Sequence, residues 1–467
     1  MKKQQPMPAL TSSIENTLGT TNIRKLLWMY SLPAIVGTMV SSLLSIIDRI
    51  YIGQGVGPLA ISGLALTFPF MNFLLAFSML VGAGAASRIS IRLGEGDKDR
   101  AEKILANALI LTFIISGTVI IISMIFMDSL LVLFGGSENT VKYAQEFMRI
   151  IIPGNIFSAL NFGFNNIMRA SGYPKKAMFT MIICGVINIV LAPIFIFAFH
   201  WGIAGAAFAT NTAYFVGSVW VMAHFFKKNS VIRFRRKNLY LDKQIVKSIL
   251  NIGMSPFSMQ IAASFVVVLL NTSLIKHGGD LAVGALGIQN GIATVFVLFI
   301  IGLNQGIQPI LGFNYGAHNY DRMFATLKLA SLIGTCVTTI GFLLCQFFPQ
   351  FLVGLFTTDQ ELKDIAANAL KISVLIYPLI GAQIITVGFF QSIGKAKISM
   401  MLSLARQVLF LTPCIFILPS FFGLNGVWAS MPVADALSTI VTGISLFIFI
   451  KKFREKKSID NMAIKQP

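Results

Sequence analysis

The stretch SLPAIVGTMVSSLLSIIDRIYIG (31–53) is an apolar run with one carboxylate, Asp48, toward its far end. A membrane-spanning helix needs about 20 predominantly apolar residues, so this run is long enough to cross. An ionised acid at the centre of such a helix costs about 3 kcal/mol even on lenient insertion scales. Intramembrane acids therefore face a protein interior or a wet cavity and mark ion or proton paths. Asp48 is the first candidate functional residue on this ground. It lies about six turns into the expected helix, and the other reading is an interfacial acid at a helix end near outside water.

The same stretch returns later in the chain. Pro33 matches Pro256 and Asp48 matches Asn271 at a shift of 223, and GPLAISGLAL from Gly57 matches GDLAVGALGI from Gly279 at a shift of 222. Farther on, VGAGAASRISIRLGEGDKDR (81–100) matches LNQGIQPILGFNYGAHNYDR (303–322), which superposes Gly84 on Gly306, Gly94 on Gly316 and Arg100 on Arg322. Gly172 then falls on Gly394, Pro193 on Pro413, Gly202 on Gly423 and Gly205 on Gly426. An ordered series at nearly constant shift is an internal repeat.

Composition sets the solvent. The 467 residues are 55% hydrophobic with a mean hydropathy of +0.77, and the 12% charged content is about half that of a soluble domain. The expected fold is all-α and integral to the membrane, with about twelve transmembrane helices in two six-helix parallel repeats. An even number of spans per copy makes both copies enter from the same side, with the repeat axis along the membrane normal. The expected organisation is a cytoplasmic N-terminal segment (1–25), an N-terminal lobe (26–226), a basic cytoplasmic linker (227–244), a C-terminal lobe (245–450) and a basic cytoplasmic tail (451–467).

The net charge of +19 does not indicate nucleic acid, because the cations sit between apolar runs rather than on one face. They collect before the first run (Lys2, Lys3, Arg24, Lys25), after the second (Arg88, Arg92, Lys98, Arg100, Lys103), after the sixth (Lys227 to Lys247) and after the last. The intervening connections hold acids such as Asp128 and Glu138, or Asp359, Glu361 and Asp364. The positive-inside rule then places both termini in the cytoplasm of a multi-pass protein of the cell membrane, the inner membrane where the source has two. The polar first 22 or so residues lack the apolar region of a cleaved signal peptide, so the first run is expected to act as an uncleaved one.

Further polar residues lie in the apolar runs. Asn188 sits in the fifth span, Thr210, Asn211 and Tyr214 follow the glycine-rich turn GIAGAAFAT, and Asn161 and Asn165 lie in the fourth span. Thr210 and Tyr214 share a helix face at i, i+4, as do Asn161 and Asn165. Each can be a ligand to ion or substrate, or a hydrogen bond between helices contributing about 0.6 kcal/mol. Asp435, in the last span, is a second intramembrane acid, and Arg406 is a candidate partner for it. The 40 phenylalanines and 20 methionines provide adaptable apolar surface without reporting specificity. Cys184, Cys336, Cys345 and Cys414 lie in apolar runs with no CxxC spacing and read as core rather than as a metal site or disulfide framework. GFFQSIGKA (388–396) fails the P-loop spacing, and the four histidines show no HExxH. No enzyme, metal or organic cofactor is expected, and uphill transport without an ATP site must draw on a gradient of H⁺ or Na⁺.

Taken together, these motifs resemble those of the MATE (multidrug and toxic compound extrusion) family. The residues that carry the resemblance are Pro33 with Asp48 and GPLAISGLAL, RLGEGDKDRA, RASGYPKKAM, NIVLAPIFIF, GIAGAAFAT and NYGAHNYDR. The chain is most similar to the branch related to DinF and MepA, in which the N-terminal lobe holds the coupling carboxylate. The resemblance implies two six-helix lobes around a V-shaped cleft and cation-coupled export of small amphipathic, often cationic, compounds by a monomer. It also implies that Asp48, Asn188 and Thr210 form the ion-coupling set, with Asn161, Asn165, Asn211 and Tyr214 toward substrate. One departure stands out: the family's NIxLDP has Ala192 where a second acid is expected. A flippase for a lipid-linked saccharide is the alternative within similar folds.

Overall fold

The computed structural model describes residues 17–133 and 138–464. The expected terminal segment up to residue 16, with Lys2 and Lys3, lies outside these, as do the last three residues of the tail. In hydrocarbon every backbone N–H and C=O must be satisfied internally, so apolar runs of this length fold as helices. In order these are α1 (Ile23–Gly55), α2 (Pro58–Gly94), α3 (Lys98–Leu133), α4 (Glu138–Ala170), α5 (Pro174–Pro193, extended by a π-turn at Ile194–Ala198) and α6 (Gly202–Phe226). A continuous helical stretch, Lys243–Gly316, breaks at Gly279 into α7 (243–278) and α8 (280–316). There follow α9 (Tyr320–Phe347), the short α10 (Pro349–Gly354), α11 (Gln360–Ser373) and α12 (Tyr377–Ser392). Next, α13 (Ala396–Leu404) runs through a π-turn at Ala405–Leu411, and a break at Gly423 begins α14 (424–464).

Eight of the helical stretches are long and apolar enough to cross a membrane. Two of them contain the breaks at Gly279 and Gly423 and so make two passes each. The pair α11 and α12, bent by 58°, supplies one more, and α6, 25 residues long but less apolar than these, is the twelfth stretch of spanning length among the described residues. The segment GIAGAAFAT is not a turn. It is already helical from Gly202, and Gly205 sits so close to α5 that an added Cβ would lie 2.9 Å from the Phe195 carbonyl carbon.

The backbone repeats as the sequence does. Positive φ occurs at Gly57, Gly96, Gly172 and Gly202 in the first half, and at Gly279, His318, Gly394 and Gly423 at the equivalent places in the second. These are the left-handed conformations that glycine adopts without strain, and His318 is one of the residue types that tolerates them. Where α2 crosses α8, a Cβ on Gly94 would meet the Phe313 carbonyl oxygen at 2.0 Å and one on Gly316 would meet that of Ile91 at 2.1 Å. Gly94 corresponds to Gly316 and Ile91 to Phe313, so the crossing is reciprocal, as a two-fold axis requires.

By contacts the chain forms two compact units. One comprises residues 1–264, 298–328 and 391–396, and the other 265–297, 329–390 and 397–467. The first is built on two apolar clusters, one around Phe164, Phe225 and Ile89 and one around Ile52, Met148 and Ala192. The second is built around Trp428, Leu274 and Leu370. The basic connection after α6 packs onto the first unit. Val231 and Ile232 are buried, the Val231 amide donates to the Tyr173 hydroxyl at 3.2 Å, and Arg235 lies 2.5 Å from the buried Glu102.

Candidate functional site

On α1 the polar residues Thr38, Ser41, Ser45 and Asp48 recur at steps of three and four, so they form one stripe on an otherwise apolar helix. Opposite it, α5 presents Cys184 and Asn188, α6 presents Thr210 and Tyr214, and α4 presents Asn161 and Asn165. Gly185 lets α1 and α5 approach, since a Cβ there would lie 2.3 Å from the Leu44 Cδ1. All of these side chains except Thr38 line a cavity of about 70 Å³. Six of the seven residues singled out in the sequence thus line one site: Asp48, Asn161, Asn165, Asn188, Thr210 and Tyr214.

Their hydrogen bonds leave Asp48 the least satisfied member. The Asn188 amide donates to the Thr210 hydroxyl at 3.1 Å, and that hydroxyl donates to the Ala206 carbonyl at 3.0 Å. The Asn161 amide donates to Cys184 Sγ at 3.3 Å, and the Asn165 amide to the Ala177 carbonyl at 2.8 Å. Tyr214 packs edge-on against Phe162. Asn188 is near enough to act on the Asp48 carboxyl, yet no hydrogen bond of ordinary geometry joins them. Asp48 Oδ1 and Asn188 Oδ1 are both buried without a partner. Among the described residues no cation pairs with Asp48. Buried polar atoms are nearly always hydrogen-bonded, so two orphan oxygens on residues lining one cavity are an exception to the rule.

Asn211 stands apart. Its amide donates to the Ile150 carbonyl at 2.6 Å, and its side chain fills the space left by Gly154, so it ties α6 to α4. Ala192, one turn beyond Asn188, is fully buried in the apolar cluster that includes Ile52 and Ile196.

The sequence reading passed over the serines of the α1 stripe and over Arg169. A second cavity of about 270 Å³ adjoins the first, and Ser41, Ser45, Phe162, Asn165 and Met181 line both. Arg169 lines it, buried and with no carboxylate partner among the described residues. It donates to Gln305 Oε1 at 2.5 Å and to Asn165 Oδ1 at 3.1 Å. The three-and-four spacing of the serines was the available signal. Arg169 was masked by its place in the cation-rich end of the fourth span.

In the other unit Arg406, within the π-turn of α13, donates to Asp435 Oδ1 at 2.6 Å. Asp435 is buried. Nearby the Gln383 amide donates to the Ser438 hydroxyl at 2.5 Å.

A model of the MatE family matches the chain twice, over residues 33–194 and 256–416. The chain belongs to the MatE family. The two matched segments begin at the repeated prolines Pro33 and Pro256, so the MatE unit is the repeat itself. Multidrug export protein MepA of Staphylococcus aureus (strain MSSA476) is 26% identical over 436 residues, covering 93% of this chain and 95% of MepA. An outward-facing multidrug resistance MATE family transporter of the MOP superfamily superposes with a TM-score of 0.89 at 25% identity, covering 96% of this chain and 99% of that one. A MOP superfamily transporter from Pyrococcus furiosus Vc1 (DSM3638), described as having a binding pocket of reverse polarity that suggests a different function, gives 0.89 at 25% identity over 97% of this chain and all of that one. This MatE chain is therefore an all-helical, multi-pass membrane transporter of a multidrug-export family, and not an enzyme.

Proposed function

We propose that this protein is a cation-coupled antiporter, with H⁺ as the coupling ion, that exports small amphipathic and often cationic organic compounds by alternating access. The observation that carries this reading is Asp48: an intramembrane carboxyl lining a cavity, with Oδ1 buried and unpartnered and, among the described residues, no cation paired with it. Such an acid can gain and lose a proton without breaking an ion pair. Protonation from outside favours substrate release and return of the transporter, and deprotonation inside favours loading. Asn188 and Thr210 hold the polar wall against which the carboxyl works, and Asn161, Asn165 and Tyr214 border the same space. With Ala192 in place of a second acid, Asp48 is the sole coupling carboxyl of this site. Each charge moved draws about 2.3 kcal/mol per 100 mV of membrane potential.

The test is drug-dependent proton flux in proteoliposomes. Asp48→Asn is expected to abolish it, and full coupled transport by that variant would overturn the mechanism. Imposing H⁺ and Na⁺ gradients separately identifies the ion, since three oxygen donors suit either. A flippase for a lipid-linked saccharide draws support from Arg169, whose buried guanidinium has only neutral partners. Raised tolerance to cationic dyes on expression favours the exporter over the flippase.

A further inference from the structure

A third cavity, polar and distinct from the two above, lies in the first compact unit, away from Asp48. It measures about 270 Å³ and is lined by Arg88 and Arg92 of α2, Arg100 and Lys103 of α3, and Asp242, Gln244, Ile245 and Ser248 at the start of α7. Arg88 and Arg92 are one turn apart, as are Arg100 and Lys103, so each pair shares a helix face. We propose that this cavity binds a phosphate group, supplied either by the headgroup of an anionic phospholipid or as free phosphate.

The charges bordering the cavity do not cancel. Arg92 pairs with Glu95, and Arg100 lies 4.0 Å from Asp97. Asp97 Oδ1 accepts from the Arg100 amide at 3.0 Å, and Asp242 Oδ1 accepts from the amides of Gln244 and Ile245 at 2.8 and 3.2 Å. These carboxylates are thus engaged in capping their own helices. Arg88 and Lys103 form no salt bridge among the described residues, and Arg88 Nε is buried without a hydrogen-bond partner. A half-buried guanidinium and ammonium facing one cavity from two helices want an anion with several oxygens. Phosphate meets guanidinium through paired hydrogen bonds and meets lysine as a point charge.

The second repeat shows the same position already filled. Arg322, the counterpart of Arg100, donates to the carbonyl oxygens of Leu18 and Thr21 at 3.2 and 2.6 Å. In place of Arg88 and Arg92 that copy has Ile310 and Asn314, and the Asn314 amide reaches the Leu18 carbonyl at 3.3 Å. Protein carbonyls therefore take the Arg322 Nη2 and Asn314 amide donors in the second copy, although Arg322 Nε, like Arg88 Nε, is buried without a hydrogen-bond partner. The first copy has more positive charge and, among the described residues, no such carbonyls hydrogen-bonded to Arg88, Arg100 or Lys103. If this end of α2 lies at the cytoplasmic surface, as the distribution of cations implies, the cavity sits at headgroup level, where basic pockets between helices recruit anionic lipid.

Thermal unfolding of the full chain in neutral detergent tests the proposal. The probes are short-chain phosphatidylglycerol, phosphatidylcholine of the same chain length, and inorganic phosphate, titrated singly. A ligand that binds only the folded state raises Tm in a concentration-dependent way. Phosphatidylglycerol or phosphate is expected to give a saturable rise, and Arg88→Gln or Lys103→Gln to shift half-saturation at least about tenfold, the loss of one charge-assisted hydrogen bond. Lys237→Gln, an exposed cation outside the cavity, should leave it unchanged. A response to the lipid alone identifies the headgroup as source, and a response to phosphate at similar concentration identifies the free ion. Equal responses to phosphatidylcholine, equal responses in the Arg88 and Lys103 variants, or no saturable rise with either anionic probe would overturn the proposal. Should Arg88→Gln not fold, Lys103→Gln, whose side chain is half-exposed, decides the outcome alone.

Discussion

Asp48 in the first half and Asp435 in the second are both acids set in apolar helical stretches, and the two are treated in opposite ways. Asp48 lines a cavity with one oxygen buried and unpaired. Asp435 is buried against Arg406 at 2.6 Å. The two acids are not repeat equivalents: Asp48 falls on Asn271, and, since Gly205 falls on Gly426, Asp435 stands where the first half has Tyr214, which lines the cavity of Asp48. Protonating Asp48 neutralises a lone charge. Protonating Asp435 would strand Arg406 in a buried site, at the cost of an uncompensated cation. One repeat fold thus supports a carboxyl with no ion-pair partner among the described residues and a carboxyl committed to holding two helices, α13 and α14, together.

The largest expected effect on folding comes from splitting the pair. Arg406→Met or Asp435→Leu alone should cost about 3–5 kcal/mol, because each leaves a buried charge without its partner, whereas the double variant should recover most of that loss. Thermal unfolding of the two single variants and the double gives the coupling directly. If either single variant is as stable as the parent, the contrast between the two acids collapses.

A smaller effect tests the missing second acid. Ala192 is fully buried in an apolar cluster, so Ala192→Asp should destabilise by about 3 kcal/mol, the cost of a charged acid at a helix centre. If the variant folds with no loss, the site already offers polar groups to that position. Its pH–transport profile would then show whether a second carboxyl changes the number of protons exchanged.

Much of this contrast was visible in the residues themselves. The repeat was legible because glycines and prolines recur at fixed backbone tasks, and the positive-φ positions Gly57 and Gly279, or Gly172 and Gly394, show why they could not drift. Asp48, Asn188 and Thr210 were legible because a polar group in hydrocarbon is expensive and therefore conspicuous. Asn211 was grouped with them by proximity in sequence, but adjacent helical residues point about 100° apart, and it faces α4. Arg169 lay hidden among cations that normally sit in water. The basic linker read as a boundary, yet Val231 and Ile232 between its charges are buried, a tertiary contact that charge counting does not register.

A modest effect should follow from Thr210→Ala. It removes the acceptor for the Asn188 amide, a membrane hydrogen bond worth about 0.6 kcal/mol. Unfolding should barely register it, while drug-dependent proton flux should fall less than in Asp48→Asn. A loss of stability of several kcal/mol would recast the Asn188–Thr210 contact as a structural clamp of the same kind as Arg406–Asp435.

The smallest expected change in stability belongs to Asp48→Asn. Among the described residues Asp48 has no ion-pair partner to strand and no hydrogen bond of ordinary geometry to lose, and the amide is close in size to the carboxyl. Unfolding should shift within about 0.5 kcal/mol, the range of a substitution that disturbs no specific contact, even as coupled transport disappears. That separation is what distinguishes an acid kept for exchange from one kept for structure. A drop comparable to that of Asp435→Leu would mean that Asp48, too, is held by an interaction important to the fold, and the loss of transport could then no longer be assigned to the proton it carries.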